Sequence, residues 1–219
     1  MFIELIDVLR CPNAHEDSWL VLAAGRTNGR DIIDGTLGCP VCRAEYAIVN
    51  GVVRFTDEPR ARAEPPDEGE AFRLAALLDL TGGRGYAVLV GETGNQAPRV
   101  RELTDMQLML VNPPDGVAMG GGVSGLTSAP GTLPLAAGSA RAIALHRAAS
   151  PALLAASLDA LAPGGRLLAP VALPLPAKLS ELARDERHWL AERRQTGVSG
   201  GGGGGGGGSS GIVPISRRR

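Results

Sequence analysis

The sequence has few aromatic residues, almost no net charge and no long apolar run. Phe, Trp and Tyr make up 3% of its 219 residues, so the core must be built mainly from Ala, Leu and Val. A formal net charge of −1 provides no general attraction to nucleic acid. No apolar run reaches the ~18 residues that would span a bilayer, and the first residues lack the order of a signal peptide. We therefore expect a globular, cytoplasmic protein without membrane contact.

Cysteine is also scarce, and its placement is the most informative pattern in the chain. All three cysteines fall within the first 42 residues, in Cys11-Pro-Asn-Ala-His15 and Cys39-Pro-Val-Cys42. Zn²⁺ takes four thiolate or imidazole ligands in a tetrahedron, and two ligand pairs on two tight turns meet that requirement. The pattern predicts a zinc ion held by Cys11, His15, Cys39 and Cys42. The alternative is a set of buried thiols without metal, with His15 as a solvated turn residue.

The segments around these pairs are typical of a zinc ribbon. Trp19–Leu22 and Asp31–Leu37 are strand-like, and Tyr46–Phe55 alternates as a strand pair around an Asn-Gly turn. So short a segment has little core, and a structural zinc site would contribute on the order of 10 kcal/mol to its folding. Four protein ligands leave no position for water, so the metal would stabilise and not catalyse. We predict a zinc-ribbon β domain over residues 1–56.

The rest of the chain predicts a linker and an α/β domain. Residues 57–69 are rich in Pro and charge and read as a linker. From 70 to 219, apolar strands alternate with helices, which predicts a mostly parallel sheet covered on both faces. The expected strands are 86–90, 107–111, 140–145 and 166–170, and the expected helices are 70–80, 96–104, 151–161 and 177–194. A Gly-rich tether at 200–211 would span about 17–21 Å and could return residues 212–215 to a sheet edge.

Residues 1–56 resemble the small zinc-ribbon proteins that serve as activator subunits of tRNA, rRNA and release-factor methyltransferases. The matching text is Leu5-Ile-Asp-Val-Leu-Arg-Cys-Pro12, Gly35-Thr-Leu-Gly-Cys-Pro-Val-Cys42 and Tyr46-Ala-Ile-Val-Asn-Gly-Val52. The chain departs from that pattern at His15, where those proteins usually have a second cysteine. The resemblance implies a zinc-binding β domain that works beside a methyltransferase.

The second part resembles a class I S-adenosylmethionine-dependent methyltransferase domain, with a Rossmann-like sheet. Ser139-Ala-Arg-Ala-Ile-Ala-Leu145 resembles the fourth-strand region, and Leu158-Asp-Ala-Leu-Ala-Pro-Gly-Gly-Arg-Leu-Leu168 resembles the helix, turn and fifth strand. The resemblance implies that S-adenosylmethionine would bind at a Gly-rich turn after the first strand. An acidic residue about 20 positions further on would hold the ribose.

Two turns compete for this role. Asp79-Leu-Thr-Gly-Gly-Arg-Gly85 is closer to the glycine pattern, but it would require 86–90 to be a helix. The turn Gly91-Glu-Thr-Gly-Asn95 has the better spacing and predicts a cofactor site at Gly91, Glu92, Gly94 and Asn112. Under this alignment Thr93 and Asn95 replace glycines, and the neutral Asn112 replaces the ribose acid. An amide binds two hydroxyls less strongly than a carboxylate, so the site predicts weak cofactor binding or none.

No other pattern identifies a catalytic group. Asn112-Pro-Pro-Asp115 is similar to the catalytic turn of amino-group methyltransferases but lacks its aromatic residue and is explained by a strand-ending turn. His146, just past a strand, is either a general base or a solvated residue. Three functions follow: a methyltransferase-like pseudo-enzyme that binds another protein, an active methyltransferase with a variant turn, and a nucleic-acid-binding module. The first best explains why fold signals survive while ligand positions do not.

Overall fold

The structure is a computed structural model that describes residues 1–82 and 85–195. Eleven strands form one sheet in the order β1-β4-β5-β6-β9-β8-β7-β10-β11-β13-β12, and β2 pairs with β3 separately. A 3₁₀ segment, Ile3–Val8, precedes the first strands, which are β1 (Val21–Ala24), β2 (Thr27–Asn28), β3 (Asp31–Ile32), β4 (Gly35–Gly38), β5 (Glu45–Val49) and β6 (Val52–Arg54). The later strands are β7 (Tyr86–Val90), β8 (Gln107–Val111), β9 (Val123–Thr127), β10 (Ala140–Ala144), β11 (Leu161–Pro170), β12 (Leu179–Arg184) and β13 (His188–Arg193).

The strand order confirms the α/β prediction. The run β9-β8-β7-β10-β11 is parallel throughout and has the 3-2-1-4-5 order of a Rossmann-like, doubly wound sheet. The helices are α1 (Glu68–Leu77), α2 (Ala97–Leu103) and α3 (Pro151–Ala160). The order reverses between β7 and β10, so a crevice is expected outside the carboxyl ends of these two strands.

The sheet runs without interruption from the cysteine-containing part into the Rossmann-like part. Strand β6 pairs in parallel with β9, with Val52 opposite Gly125 and Val53 opposite Leu126. Strands β1, β4, β5 and β6 are joined by antiparallel pairs, and the Asn50-Gly51 turn between β5 and β6 has the positive φ angles expected of a tight hairpin. Backbone hydrogen bonds therefore connect both parts of the described chain.

Both faces of the sheet are covered. Helices α1 and α2 cover one face, where Leu74 and Val100 pack with Leu89 and Leu108. The other face is covered by α3 and by the amino-terminal segment, whose Leu9 forms a bridge with Leu135. The side chain of Ser150 accepts from the Leu153 amide and caps α3, as its sequence predicts.

Two sequence predictions are wrong or incomplete. Residues 177–194 form the antiparallel hairpin β12–β13 and not an amphipathic helix, because Oδ1 of Asp185 accepts from the amides of Arg187 and His188 and closes a turn. The sequence does not predict strand β9, since Val123-Ser-Gly-Leu-Thr127 lies in Gly-rich text and has no periodic pattern. The helices near 70–80, 96–104 and 151–161 and the strands near 86–90, 107–111, 140–145 and 166–170 are confirmed.

The predicted tether at 200–211 and the edge strand at 212–215 lie outside the described residues. Among the helices of residues 1–82 and 85–195, none has the length and hydropathy that a membrane crossing requires.

Candidate metal centre and edge cavity

The predicted zinc ligands come together at two turns. Cys11 and His15 lie on the turn that follows the 3₁₀ segment, and Cys39 and Cys42 lie on the turn between β4 and β5. Their ligand atoms all lie within 4.8 Å of one another. This cluster could hold a metal ion.

The distances within the cluster fit a shared ion. The sulfurs of Cys11 and Cys42 are 3.7 Å apart, and Nε2 of His15 lies 3.4 Å from the sulfur of Cys39. Thiolates ~2.3 Å from one tetrahedral ion would have sulfurs about 3.8 Å apart, whereas a disulfide would bring them to about 2.05 Å. The observed separation matches a metal centre and excludes a disulfide between Cys11 and Cys42.

Neighbouring groups orient the His15 ring and favour the ionised form of Cys42, and both effects favour metal binding. The backbone carbonyl of Glu16 accepts from Nδ1 of His15 at 2.6 Å, which leaves Nε2 as the nitrogen that faces the cluster. This hydrogen bond also raises the pKa of His15. The backbone amide of Ala44 and the side-chain amide of Asn13 donate to the sulfur of Cys42 and lower the pKa of that thiol to about 6. Cys42 is therefore largely a thiolate at neutral pH.

A second candidate site is a cavity of about 460 Å³ at the carboxyl ends of β7, β8, β9 and β10. We call it the edge cavity. It lies where the strand order reverses, which is the usual ligand position in open α/β sheets, and its volume is within the range of small-molecule sites. Gly91, Glu92 and Asn112 line it, and Gly94 does not.

The predicted cofactor residues are engaged with the protein itself. Asn112 Nδ2 donates to the carbonyl of Ser128 at 3.0 Å, and its Oδ1 accepts from the Ser128 amide at 2.8 Å. A Cβ built on Gly91 would lie 3.1 Å from Cγ of His146, so the imidazole covers that side of the glycine. Gly94 is buried and packs toward Pro113 and Pro114. The residues present fit an adenosyl cofactor poorly, because the amide that would bind the ribose is engaged with Ser128 and one side of Gly91 is covered by His146.

The competing turn at 79–85 is not at the cofactor edge. Tyr86–Val90 is a strand, so residues 79–85 precede it at the amino end. The alignment that required a helix there is wrong.

Residues 57–66 cross the carboxyl edge of the sheet and form one wall of the edge cavity; we call them the strap. The amide of Asp115 donates to the carbonyl of Ala61 at 2.7 Å, and the amide of Ala63 donates to the carbonyl of Asp115 at 2.8 Å. Arg60 forms an ion pair with the Asp115 carboxylate, and the Glu64 amide donates to Oδ1 of Asn95 at 3.1 Å. The strap is therefore anchored across the position that a cofactor would enter.

The sequence reasoning missed the strap, whose composition indicated only a linker. A signal was present in Glu58-Pro-Arg-Ala-Arg-Ala-Glu64, where charged residues alternate with Pro and Ala as in an extended segment. His146 lines the same cavity, and burial lowers its pKa, so the imidazole is neutral at pH 7. No carboxylate or second imidazole hydrogen-bonds its ring within the described residues, so the structure assigns it no catalytic partner.

No protein-family model and no curated protein matches this chain. It is similar to a number of solved structures, of which three are described here. A protein from Methanococcus maripaludis, named as a candidate S-adenosyl-L-methionine-dependent methyltransferase, has 8% identity and a TM-score of 0.47 over 60% of this chain and 86% of that one. A geranyl diphosphate methyltransferase in complex with GPP and sinefungin has 14% identity and a TM-score of 0.36 over 51% and 55% of the two chains.

The third is a SAM-dependent methyltransferase from Aquifex aeolicus, with 13% identity and a TM-score of 0.36 over 58% of this chain and 97% of that one. At these identities and TM-scores the likeness assigns no activity, substrate or cofactor. The Rossmann-like description rests on the strand order of the chain itself.

Proposed function

We propose that this chain is a non-catalytic, methyltransferase-like protein that is stabilised by Zn²⁺ and acts by binding another protein. The observation that carries the proposal is the bonding of Asn112 to Ser128, which engages the side chain that the sequence predicts as the ribose ligand. The imidazole of His146 on Gly91 and the strap across the sheet edge support the same reading.

The metal is Zn²⁺ in this proposal, because three thiolates and one imidazole form a typical closed zinc site. With four protein ligands the ion has no place for a reacting water. Its role is to hold the two turns together and to stabilise the strands that continue into the sheet through β6 and β9.

Elemental analysis of protein purified without added metal tests this assignment, with one zinc per chain expected. His15→Ala should lower the zinc content, and the matched change His188→Ala should not, since His188 lies on β13. Stoichiometric iron or no metal in the wild-type protein would overturn the assignment.

Isothermal titration calorimetry with S-adenosylmethionine tests whether the protein binds this cofactor. We expect no binding heat beyond dilution. A dissociation constant in the micromolar range would overturn the non-catalytic reading in favour of an active methyltransferase. That alternative is favoured by one observation, since the edge cavity remains open beside Gly91 and Glu92.

Exposed apolar residues on β1 and beside it support a protein partner. Trp19 is 68% exposed and Val21 is 63% exposed. Within residues 1–82 and 85–195, β1 is the last strand on its side of the sheet. Sheet edges can pair with other chains, and aromatic residues are common anchors of protein interfaces. Nucleic acid is a weaker candidate, because Arg10 beside Trp19 is paired with Asp17.

Crosslinking in the source cells, followed by mass spectrometry, tests whether another protein binds at β1. A protein that crosslinks to the wild type and is lost from Trp19→Ser supports the proposal. Phe72→Ser is the matched control, because Phe72 on α1 is 65% exposed but lies on a different element. Crosslinks that are unchanged in Trp19→Ser would remove β1 as the binding edge.

A further inference from the structure

The edge cavity contains charged groups that the protein itself does not neutralise. Glu58, Glu64 and Glu92 line it and form no ion pair within residues 1–82 and 85–195. Arg60 is paired with Asp115, which leaves Arg62 as the lining cation without a carboxylate partner in those ranges. The wall of the cavity therefore offers charges of both signs to a ligand.

This charge arrangement selects against ligands with one sign of charge. A phosphate or a simple carboxylate would meet Arg62 but would also face three carboxylates. A simple amine would pair with Glu92 or Glu64 and leave Arg62 unpaired. A ligand with one positive and one negative group satisfies both sides, because like charges brought together are costly and unlike charges are favourable.

Asn95 provides a hydrogen-bond donor for the negative group of such a ligand. Its side chain lines the cavity, and the residue is only 8% exposed. Oδ1 accepts from the Glu64 amide, whereas Nδ2 donates to no acceptor of the described chain. Nδ2 is not a buried atom without a partner, so it reaches solvent and is free to donate to a carboxylate of a ligand in the cavity.

The remaining wall of the cavity is apolar. Val90, Pro130 and Leu153 lie between the ends of β7, β9 and the start of α3. An aliphatic side chain of moderate size would be buried against them. Burial of its apolar surface would contribute favourably to the free energy of binding and would need no hydrogen-bond partner. The neutral imidazole of His146 closes the side next to Gly91.

We propose that the edge cavity binds a free α-amino acid with an apolar side chain. The carboxylate of the ligand faces Arg62 and Nδ2 of Asn95, the ammonium group faces Glu92 and Glu64, and the side chain contacts Val90 and Leu153. The strap, which the protein already anchors on the sheet edge, supplies Arg62 and Glu64. This site is independent of the zinc ion and does not require that a protein partner exists.

Thermal unfolding with defined probes tests the site on the full chain. L-leucine, L-methionine and L-valine are compared with 3-methylbutylamine, which lacks the carboxylate of leucine, and with 4-methylpentanoate, which lacks its amine. At ~100 times its Kd the bound amino acid should raise Tm by about 5–10 °C. Neither single-charge analogue should raise it. Calorimetry with the best amino acid then gives its Kd.

Two variants test the contact to the ligand's carboxylate and the contact to its ammonium group separately. Arg62→Gln and Glu92→Gln should each weaken binding about tenfold. Both residues are exposed, so the variants should remain folded. The matched controls Arg99→Gln and Glu102→Gln remove charges from a surface pair on α2 and should leave the Kd unchanged. Circular dichroism of each variant confirms that it is folded.

The proposal is overturned if no amino acid shifts Tm, if either single-charge analogue binds as well as leucine, or if both cavity variants keep the wild-type Kd. Its failure is distinct from that of the proposed function. Micromolar S-adenosylmethionine binding without amino-acid binding would overturn both, whereas absence of all binding would leave the non-catalytic reading intact and remove only this site.

Discussion

The side chain of Asn112 makes two hydrogen bonds with the backbone of Ser128, one to its carbonyl at 3.0 Å and one from its amide at 2.8 Å. This contact joins the end of β8 to the loop after β9. Asn112 has a φ of 50°, a left-handed conformation that Asn tolerates better than most residues. The residue at the expected ribose position thus has a structural role, and its replacement has a defined consequence.

Asn112→Asp should destabilise the protein by about 1–3 kcal/mol, because a carboxylate can accept from the Ser128 amide but cannot donate to its carbonyl. Urea denaturation measures the change. Asn28→Asp on the exposed strand β2 is the control and should change stability by less than about 0.5 kcal/mol. S-adenosylmethionine binding should remain absent in Asn112→Asp. If Asn112→Asp bound S-adenosylmethionine, a carboxylate at position 112 would be the one group that the wild-type site lacks.

Gly91→Ala should cost about 2–4 kcal/mol. Gly91 has a φ of 62°, and the added Cβ would lie 3.1–3.3 Å from atoms of the His146 side chain. Gly138→Ala provides a matched control, since its φ is 66° and its added Cβ would have no neighbouring atom within 4 Å. It should cost only ~1–2 kcal/mol. Equal losses in the two variants would show that the imidazole does not pack on Gly91.

Cys42 should be the most reactive thiol of the metal-free protein. Its pKa is lowered to about 6 by donors from Ala44 and Asn13, and the thiolate fraction increases as pH rises through that value. Iodoacetamide labelling between pH 5 and about 8, followed by peptide mapping, should give a midpoint near 6. Bound zinc should protect all three cysteines. A midpoint of ~8.5, the ordinary pKa of a thiol, would contradict the assigned hydrogen bonds.

Removal of the metal should destabilise the whole described chain and not only its first strands, because β6 and β9 belong to one sheet. Trp19 precedes β1 and Trp189 lies on β13, so Trp19→Phe and Trp189→Phe variants report on the two parts separately. With chelator, both fluorescence transitions should shift to lower denaturant and stay coincident. If only the Trp19 signal shifted, the two parts would unfold independently.

Val53→Ala tests the same junction through its packing. Val53 and its partner Leu126 are both fully buried, so the smaller side chain should cost about 2 kcal/mol. Both tryptophan signals should report this loss. A loss confined to the Trp19 signal would again indicate separate units.

The two parts of the fold differ in how far the sequence predicted them. The turns that carry Cys11, His15, Cys39 and Cys42 follow from residue spacing, because ligand pairs a few residues apart can only converge from tight turns. The hairpin at Asn50-Gly51 and the buried strand Tyr86–Val90 likewise follow from local patterns. The edge cavity and the strap could not be predicted in this way, because they depend on contacts between residues far apart in the sequence, such as Asn95 with Glu64 and Arg60 with Asp115.

Sequence by itself determined which four side chains form the Cys/His cluster, the alternation of strands and helices, and the position of the turn after β7. These features depend on residues close together in the chain, where side-chain spacing and turn preferences are decisive. Only the tertiary structure decided that Val123–Thr127 is a strand, that residues 179–193 form a hairpin, and that Asn112 and Gly91 are occupied by Ser128 and His146. Those outcomes depend on which surfaces meet after folding, because a neighbouring strand can bury an unpatterned segment and a distant side chain can fill a cofactor position.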